Sequence, residues 1–352
     1  MNNLKKFIKT NLQWEDIIEV PSIYFIENSI IGKIFRKLTT IGNHTTHNGH
    51  GLHISCKIVL PTHCQADCAF CFNKITRETQ MHDKDLFIQN LWSSLETIFK
   101  HIGRRKISFD ITGNEPTFDL MLLDKVLLTL QHFKQNYPKS FAKVVITTNG
   151  YRLEELLDKD IDVIDYINLS MHDSRYEERV KIFKTKQIPT NTQIMSLNQE
   201  AHSKGIATTA VVVIHKPVKE FENLIKDFSY LSKYLGFDNV RVRIDYKGNE
   251  ETRNQFFNNF KNEPIDICPG LMTKSIAFDG LENTNIYLGV KALTDYVIGS
   301  EVIIDDDGNL YMDYNKKFLI KDYDIIDDLL NKIYWNPEIW WDDSLLRNTK
   351  IK

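Results

Sequence analysis

From about residue 54 the chain alternates between two hydrophobic rhythms. Short segments rich in β-branched residues read as strands: "ISCKIVL" (54–60), "KISFDITG" (106–113), "AKVVITTNG" (142–150), "YINLSMHD" (166–173), "IATTAVVVI" (206–214) and "NVRVRIDY" (239–246). Between them run stretches with apolar residues at helical spacing: "DLFIQNLWSSLETIFKHI" (85–102), "DLMLLDKVLLTLQHFKQ" (119–135), the short "YRLEELLDK", "NQEAHSKG" closing on Gly205, and "KEFENLIKDFSYLSKYLG" (219–236). Strands separated by crossover helices predict βαβ units and a parallel sheet.

The strands carry a second pattern. Parallel strands buried on both faces read as continuous apolar runs, yet several of these alternate. Ser108, Asp110 and Thr112 share one face of their strand, opposite Ile107, Phe109 and Ile111. Asn168, Ser170 and His172 share a face of another, and Arg241, Arg243 and Asp245 a face of the last. Helices cover the apolar faces, so the polar faces line a wet or ligand-filled lumen. The predicted class is α/β, a partial (β/α)6 TIM-like barrel over residues 54–247, with chemistry at the C-terminal strand ends. An N-terminal extension (1–53) precedes it. A C-terminal α+β capping region (248–352) follows, with strand-like "KSIAFDG" and "NIYLGVKA", a hairpin "EVIIDDDGNLYMDYN" turning at Asp307-Gly308, and an amphipathic "DYDIIDDLLNKIYW". Without low-complexity tracts or Pro/Gly linkers, these flanks are expected to pack on the barrel.

Composition changes this picture little. The 352 residues are 42% hydrophobic and 26% charged, enough for an ordinary globular core. A net charge of −3 from 44 basic and 47 acidic residues carries no nucleic-acid or acidic-membrane footprint. No apolar run approaches the roughly 20 residues of a membrane span. The first residues lack the apolar core and cleavage site of a signal peptide, so a cytoplasmic protein is expected. Five cysteines, an odd number with three clustered, suit metal or cluster ligation better than a disulfide framework.

The cluster is "PTHCQADCAFCFN", with Cys64, Cys68 and Cys71 at C-x3-C-x2-C spacing. Three thiolates can bind three irons of a [4Fe–4S] cube and leave the fourth iron an open position. Zinc is the competing reading, with His63 as a further ligand. Structural zinc sites usually show two paired hooks, and the sequence offers no second one.

This stretch resembles the hallmark of the radical S-adenosylmethionine (radical SAM) superfamily, CxxxCxxC after the first strand of a partial (β/α)6 barrel, with an aromatic residue, here Phe70, before the third cysteine. The resemblance covers about residues 54–246. "TGNEP" is similar to the family's GGEP loop, with Gly113, Glu115 and Pro116 matching and Asn114 replacing the second glycine. In that loop the backbone and the Glu hold the amino group of S-adenosylmethionine (SAM). "TTNG" looks like the family's third-strand end, where Asn149 would be a residue binding SAM. "NLSMH" resembles its fourth strand, where Ser170 would contact SAM; His172 and Arg175 follow as candidates, with an exposed salt-bridge role as the alternative for them. The fifth strand lacks the small-residue motif that often cradles adenine. The resemblance implies a [4Fe–4S] cluster, SAM, reductive SAM cleavage to a 5′-deoxyadenosyl radical, and an electron donor such as flavodoxin or ferredoxin.

The substrate is less visible. Asp110, Arg241, Arg243 and Asp245 are the candidate substrate residues; the two arginines could grip a carboxylate or phosphate, or pair with Asp245, Asp110 or the SAM carboxylate. His215 and Lys216 are weaker candidates, better read as solvated loop residues. Cys268 in "DICPGLM" is a candidate hydrogen-atom donor, like the lone thiol of some radical SAM epimerases, against a packing cysteine. Cys56, within the first strand, reads as packing. His44, His47, His50 and His53 lie in a polar Gly/Asn/Thr segment that fixes no common face, so a lead-in loop is preferred to a metal site. Few cysteines outside the loop argue against auxiliary clusters, and no unit before residue 54 suggests a cobalamin domain. The resulting order is tailoring of a sugar, nucleoside or amino-acid metabolite (epimerisation, dehydration or rearrangement), then modification of a ribosomal peptide, then a viperin-like nucleotide dehydratase. The reading from a different class is a non-catalytic iron–sulfur or zinc redox sensor.

Overall fold

The computed structural model describes residues 53–71, 83–102, 106–159, 162–214, 221–244, 265–268, 271–276, 285–292 and 301–311, and two short strands, Ile18–Val20 and Ile333–Trp335, which pair antiparallel. The repeating unit is β1 (His53–Leu60), α1 (Lys84–His101), β2 (Lys106–Gly113), α2 (Leu120–Asn136), β3 (Phe141–Thr148), α3 (Leu153–Leu157), β4 (Tyr166–Ser170), α4 (Tyr176–Phe183), α5 (Asn191–Ser203), β5 (Ala207–Ile214), α6 (Phe221–Tyr234) and β6 (Asn239–Ile244). β1 to β6 lie side by side in chain order, every neighbouring pair parallel, as the alternating rhythms predict.

Local signals set the helix ends. Asp83 caps α1 by accepting from the amides of Asp85 (2.8 Å) and Leu86 (3.2 Å), and Thr190 with Gln193 forms a capping box on α5. α1 turns Phe87, Leu91, Leu95, Ile98 and Phe99 inward. There Phe99 stacks on Phe133, Tyr137 and Phe141, and Phe109 meets Phe141 from β2. The core therefore lies between the sheet and its helices.

The structure departs from the sequence reading in three places. α4 is a helix the apolar pattern did not reveal, because its inward residues are Arg179 and Phe183 rather than an aliphatic stripe. β4 stops at Ser170, short of the expected residue 173, and the backbone turns at His172 with φ 56°. The C-terminal region supplies strands to both flanks of the sheet. β7 (Ile265–Cys268), β8 (Leu271–Ile276) and β9 (Asn285–Ala292) form an antiparallel run whose last strand pairs parallel with β6. β10 (Glu301–Ile304) pairs parallel with β1 and turns back into β11 (Leu310–Tyr311). This is the expected hairpin, closed by Gly308 N–H donating to the Asp305 carbonyl (2.7 Å). Gly308 has φ 79°, and a Cβ there would sit 2.3 Å from the Phe87 carbonyl oxygen, so the turn docks against α1 only as glycine. Most of the amphipathic stretch before residue 335 lies outside the described residues.

Candidate active site

Four loops meet at the C-terminal ends of β1 to β4. The first carries the cysteines, which are free thiols and half-buried. It is tied down at several points. The Asp67 amide donates to the Phe183 carbonyl (2.9 Å), Lys184 pairs with Asp67 (3.0 Å), and Gln65 Nε2 donates to the Gln187 carbonyl (3.0 Å). Phe70 packs edge-on against His172 (4.8 Å), which rests on Phe183 (5.0 Å). Arg179, 1% exposed, clamps the chain beneath. Its guanidinium donates to the carbonyls of Asp173, Ser174 and Pro189 and to Asn191 Oδ1.

Burial pushes the Cys64 and Cys68 thiols up to about 12. Like charge adds to this, from Glu115 and Cys71 on Cys64 and from Cys71 and Cys64 on Cys68. Those two thiols stay protonated at neutral pH unless a cationic centre takes them as thiolates. Among the described residues no three of His, Cys, Asp or Glu converge on a single-ion position. A cube spreads its thiolates over separate irons, so three spaced cysteines fit it better than one zinc. His63 is exposed and lies edge-on to Phe118 (5.8 Å).

The loop after β2 holds Gly113, Asn114, Glu115 and Pro116. Gly113 has φ 126°, and a Cβ there would lie 2.9 Å from the Leu60 amide nitrogen, where β1 and β2 converge. Asn114 is absent from the left-handed residues, which among the described non-glycines are Arg152, His172 and Lys184. It replaces the family's glycine differently, by donating from Nδ2 to the Thr62 carbonyl and tying its loop to the cysteine loop. Glu115 is 1% exposed. Its Oε1 accepts from the Thr148 hydroxyl (2.5 Å) and the Thr117 amide (3.2 Å), with the Thr117 hydroxyl at 2.7 Å, and Oε2 accepts from the Asn149 amide (2.7 Å). Burial raises its pKa, opposed by these donors. The carboxylate, expected from the family pattern to face SAM, is here turned inward with its lone pairs nearly used up. Pro116 opens a 3-10 turn, Pro116–Phe118.

The loop after β3 brings Asn149 to the cysteines. Its Nδ2 lies 3.6 Å from Cys64 Sγ, and its Oδ1 accepts from Gln65 Nε2 (2.9 Å). At the end of β4, Ser170 is half-buried and pairs in register with Val211. His172 Nδ1 accepts from the Val213 amide (3.1 Å). Arg175, 68% exposed, turns to Asp173 with contacts of 3.1 and 3.2 Å, the exposed salt bridge that was the alternative for it.

The lumen is polar as the alternation predicts. Asp110 Oδ2 pairs with Lys57 of β1, its Oδ1 accepts from Thr147 of β3 (2.9 Å), and Thr147 accepts from Asn168 of β4 (3.2 Å). Asp110, read as a substrate residue, is therefore the middle of a network over β1 to β4. Lys57, Gln65, Thr117, Thr147 and Thr148 are site residues the sequence reading did not single out. Strand alternation marks Lys57 and Thr147 in retrospect, since Lys57 lies between the core residues Cys56 and Ile58 and Thr147 follows the core residue Ile146. Arg241 lies between Val240 and Val242, which face the core, and its Nε is buried without a hydrogen-bond partner. Arg243 has its backbone paired with Val213 and Gly289, and Cys268 ends β7. The side chains of Arg243 and Cys268, and all of Asp245, His215, Lys216, His44, His47 and His50, lie outside the described residues. Cys56 is fully buried, as expected of a packing residue.

A parallel α/β barrel sheet with a three-cysteine loop after its first strand, at the C-terminal strand ends, defines a cluster-dependent enzyme class. The sequence model of the Radical SAM superfamily matches residues 58–228, and the chain belongs to that superfamily as an enzyme of the radical SAM class. Members bind a [4Fe–4S] cluster and SAM. Similar solved structures include Streptococcus suis SuiB (14% identity, 84% of this chain and 67% of that one, TM-score 0.48). Native anSMEcpe with bound AdoMet is another (14%, 84% and 83%, TM-score 0.49). Coproporphyrinogen III oxidase (HemN) of Escherichia coli, described as a radical SAM enzyme, is a third (15%, 55% and 44%, TM-score 0.39). No curated protein matches the sequence. Among the described residues no helix is long and apolar enough to cross a membrane.

Proposed function

We propose that the protein acts on a small polar substrate carrying an anionic group, a sugar, nucleoside or amino-acid metabolite, held in the barrel lumen beneath the cysteine loop. When bound, the cluster and SAM supply reductive cleavage of SAM and abstraction of a hydrogen atom from the substrate. Cys64, Cys68 and Cys71 would hold the cluster. The loop carrying Gly113 and Asn114 and the end of β4 at Ser170 would border SAM. An electron donor such as flavodoxin or ferredoxin would serve it. Polar lumen groups from Lys57 to Asn168 would orient the substrate, and packing of Phe70 on His172 keeps the loop close over the barrel. A reactive radical must meet one C–H bond at short range, so orientation and exclusion of water matter more here than acid–base strength.

The observation that carries this reading is Arg241. A guanidinium nitrogen buried without a partner is costly, and an anionic group seated against it removes that cost. Arg243 in the same strand and Asp245 after it are proposed as companions. The test uses anaerobically reconstituted protein with dithionite and candidate metabolites. The wild type should release 5′-deoxyadenosine and a modified metabolite. Arg241→Met should still cleave SAM while forming at least tenfold less product. Full product formation by Arg241→Met would refute the anion site.

The C-terminal hairpin favours a second reading. Its strand–turn–strand form, without cysteines, resembles the C-terminal region of peptide-modifying members, which suggests a ribosomal peptide substrate and Cys268 as hydrogen-atom donor. On that reading Cys268→Ala cleaves SAM but yields no epimerised peptide. Unchanged product would remove Cys268 from the chemistry.

A further inference from the structure

We infer that Asn149 is a positioning residue for the cluster, donating an N–H···S hydrogen bond to Cys64 and thereby raising the cluster's reduction potential. The inference rests on the reading that Cys64, Cys68 and Cys71 hold a [4Fe–4S] cluster. It concerns the thiolate, where the family resemblance placed this turn beside SAM.

Two backbone groups decide which end of the Asn149 amide faces the sulfur. The Tyr151 amide can only donate, and it points at Oδ1 of Asn149 (3.0 Å). The Gln187 carbonyl can only accept, and it takes Nε2 of Gln65 (3.0 Å). Gln65 Nε2 also donates to Oδ1 of Asn149 (2.9 Å). With both amides fixed at their outer ends, a flip of either would set donor against donor or acceptor against acceptor. Nδ2 of Asn149 is thus the atom left facing Cys64 Sγ at 3.6 Å, with Gln65 Oε1 at 3.4 Å.

The amide is also held from behind. Asn149 is 7% exposed, and its own backbone N–H is anchored on Glu115 Oε2 at 2.7 Å. A second donor, the Ala66 amide, lies 3.4 Å from the same sulfur. An N–H aimed at a ligand sulfur stabilises the more electron-rich state of an iron–sulfur cluster and raises its potential. The same network joins the cysteine, GNEP and TTNG loops. Asn149 therefore reaches Cys64 through its side chain and the GNEP loop through its backbone N–H.

The experiment is potentiometric titration of the reconstituted cluster, followed by electron paramagnetic resonance, with iron counted per chain. Asn149→Asp keeps the shape and the acceptor for Tyr151 and Gln65 but places a charged acceptor on the sulfur. Asn149→Leu removes the donor without adding charge. Both should keep wild-type iron content and lower the midpoint potential, Asp more than Leu. The Fe–S(Cys) stretching bands in resonance Raman spectra should move to higher frequency with Leu. If both variants take up too little iron to titrate, Gln65→Leu, which leaves the Asn149 amide held by the Tyr151 N–H but removes its Gln65 partner, should give a smaller shift of the same sign. Unchanged potential and unchanged bands with full iron would overturn the inference. A wild-type protein that takes up no cluster would overturn the underlying reading instead.

Discussion

The inward Glu115 carboxylate separates two roles that the family pattern merges. If it braces the TTNG loop, its loss is felt before any cofactor arrives. Glu115→Gln keeps the volume but turns one oxygen into an NH2 group. In the better orientation that group replaces Oε2 and meets the Asn149 N–H, which now donates to Oε2 at 2.7 Å. In the other it faces the Thr117 amide and the Thr148 hydroxyl together. The milder case strands one buried backbone donor and one side-chain N–H, each costing about 1–3 kcal/mol, partly offset because a neutral amide is easier to bury than a carboxylate. A net loss of about 2–4 kcal/mol is expected, a large part of the 5–15 kcal/mol typical of a folded domain. Urea unfolding of the metal-free protein without SAM measures it. Unchanged stability of that apo-protein, together with weaker SAM binding to the reconstituted enzyme, would refute the bracing role and return Glu115 to the cofactor.

Two further perturbations test the frame around the site. Cys64→Ala, Cys68→Ala and Cys71→Ala should each abolish iron uptake, whereas Cys56→Ala should keep it and cost about 1–2 kcal/mol in packing; iron analysis with urea melts decides, and iron loss in Cys56→Ala would mean the ligand set is miscounted. Gly308→Ala should destabilise by about 2–4 kcal/mol and expose the hairpin to protease, because the new Cβ meets backbone of α1 that cannot yield. Wild-type protease resistance would show that the hairpin is not docked there.

Much of the barrel is written in the sequence because its periodicities are local. β2 and β9 match the expected segments residue for residue, and α1, α2 and α6 lie within two residues of theirs at each end. α4 escapes because its inner face carries an arginine whose donors are consumed by carbonyls of the loops on either side of the helix, Asp173, Ser174 and Pro189, and an apolar count does not register such an anchor. β4 ends early for a similar reason. His172 leaves the strand in a left-handed turn so that Nδ1 can accept from Val213, a partner 41 residues away. The flank strands β9 and β10 are legible as strands, but their neighbours are not. Nothing in "EVII" says that it adds beside β1 or that the barrel sheet is extended at both edges by one C-terminal region.

At the site, residue types were legible and their directions were not. The cysteine spacing announces a three-thiolate centre, and the alternation of β2 announces a polar lumen. Whether Asp110 waits for substrate or is held by Lys57 depends on the register of two strands fifty residues apart, Lys57 opposite Asp110. Whether Glu115 faces cofactor or core depends on a χ angle set by Thr148 and the Asn149 amide. The same physics separates Asp110 from Arg241. Asp110 has its counter-charge inside the fold, so removing Lys57 would leave a half-buried carboxylate short of a partner and should act mainly on stability. Arg241 Nε has none, so the fold bears that cost until something anionic arrives, and its removal should act mainly on substrate. On the proposed reading, the unpartnered Nε of Arg241, rather than its charge alone, is what separates a substrate contact from a structural ion pair such as Lys57–Asp110.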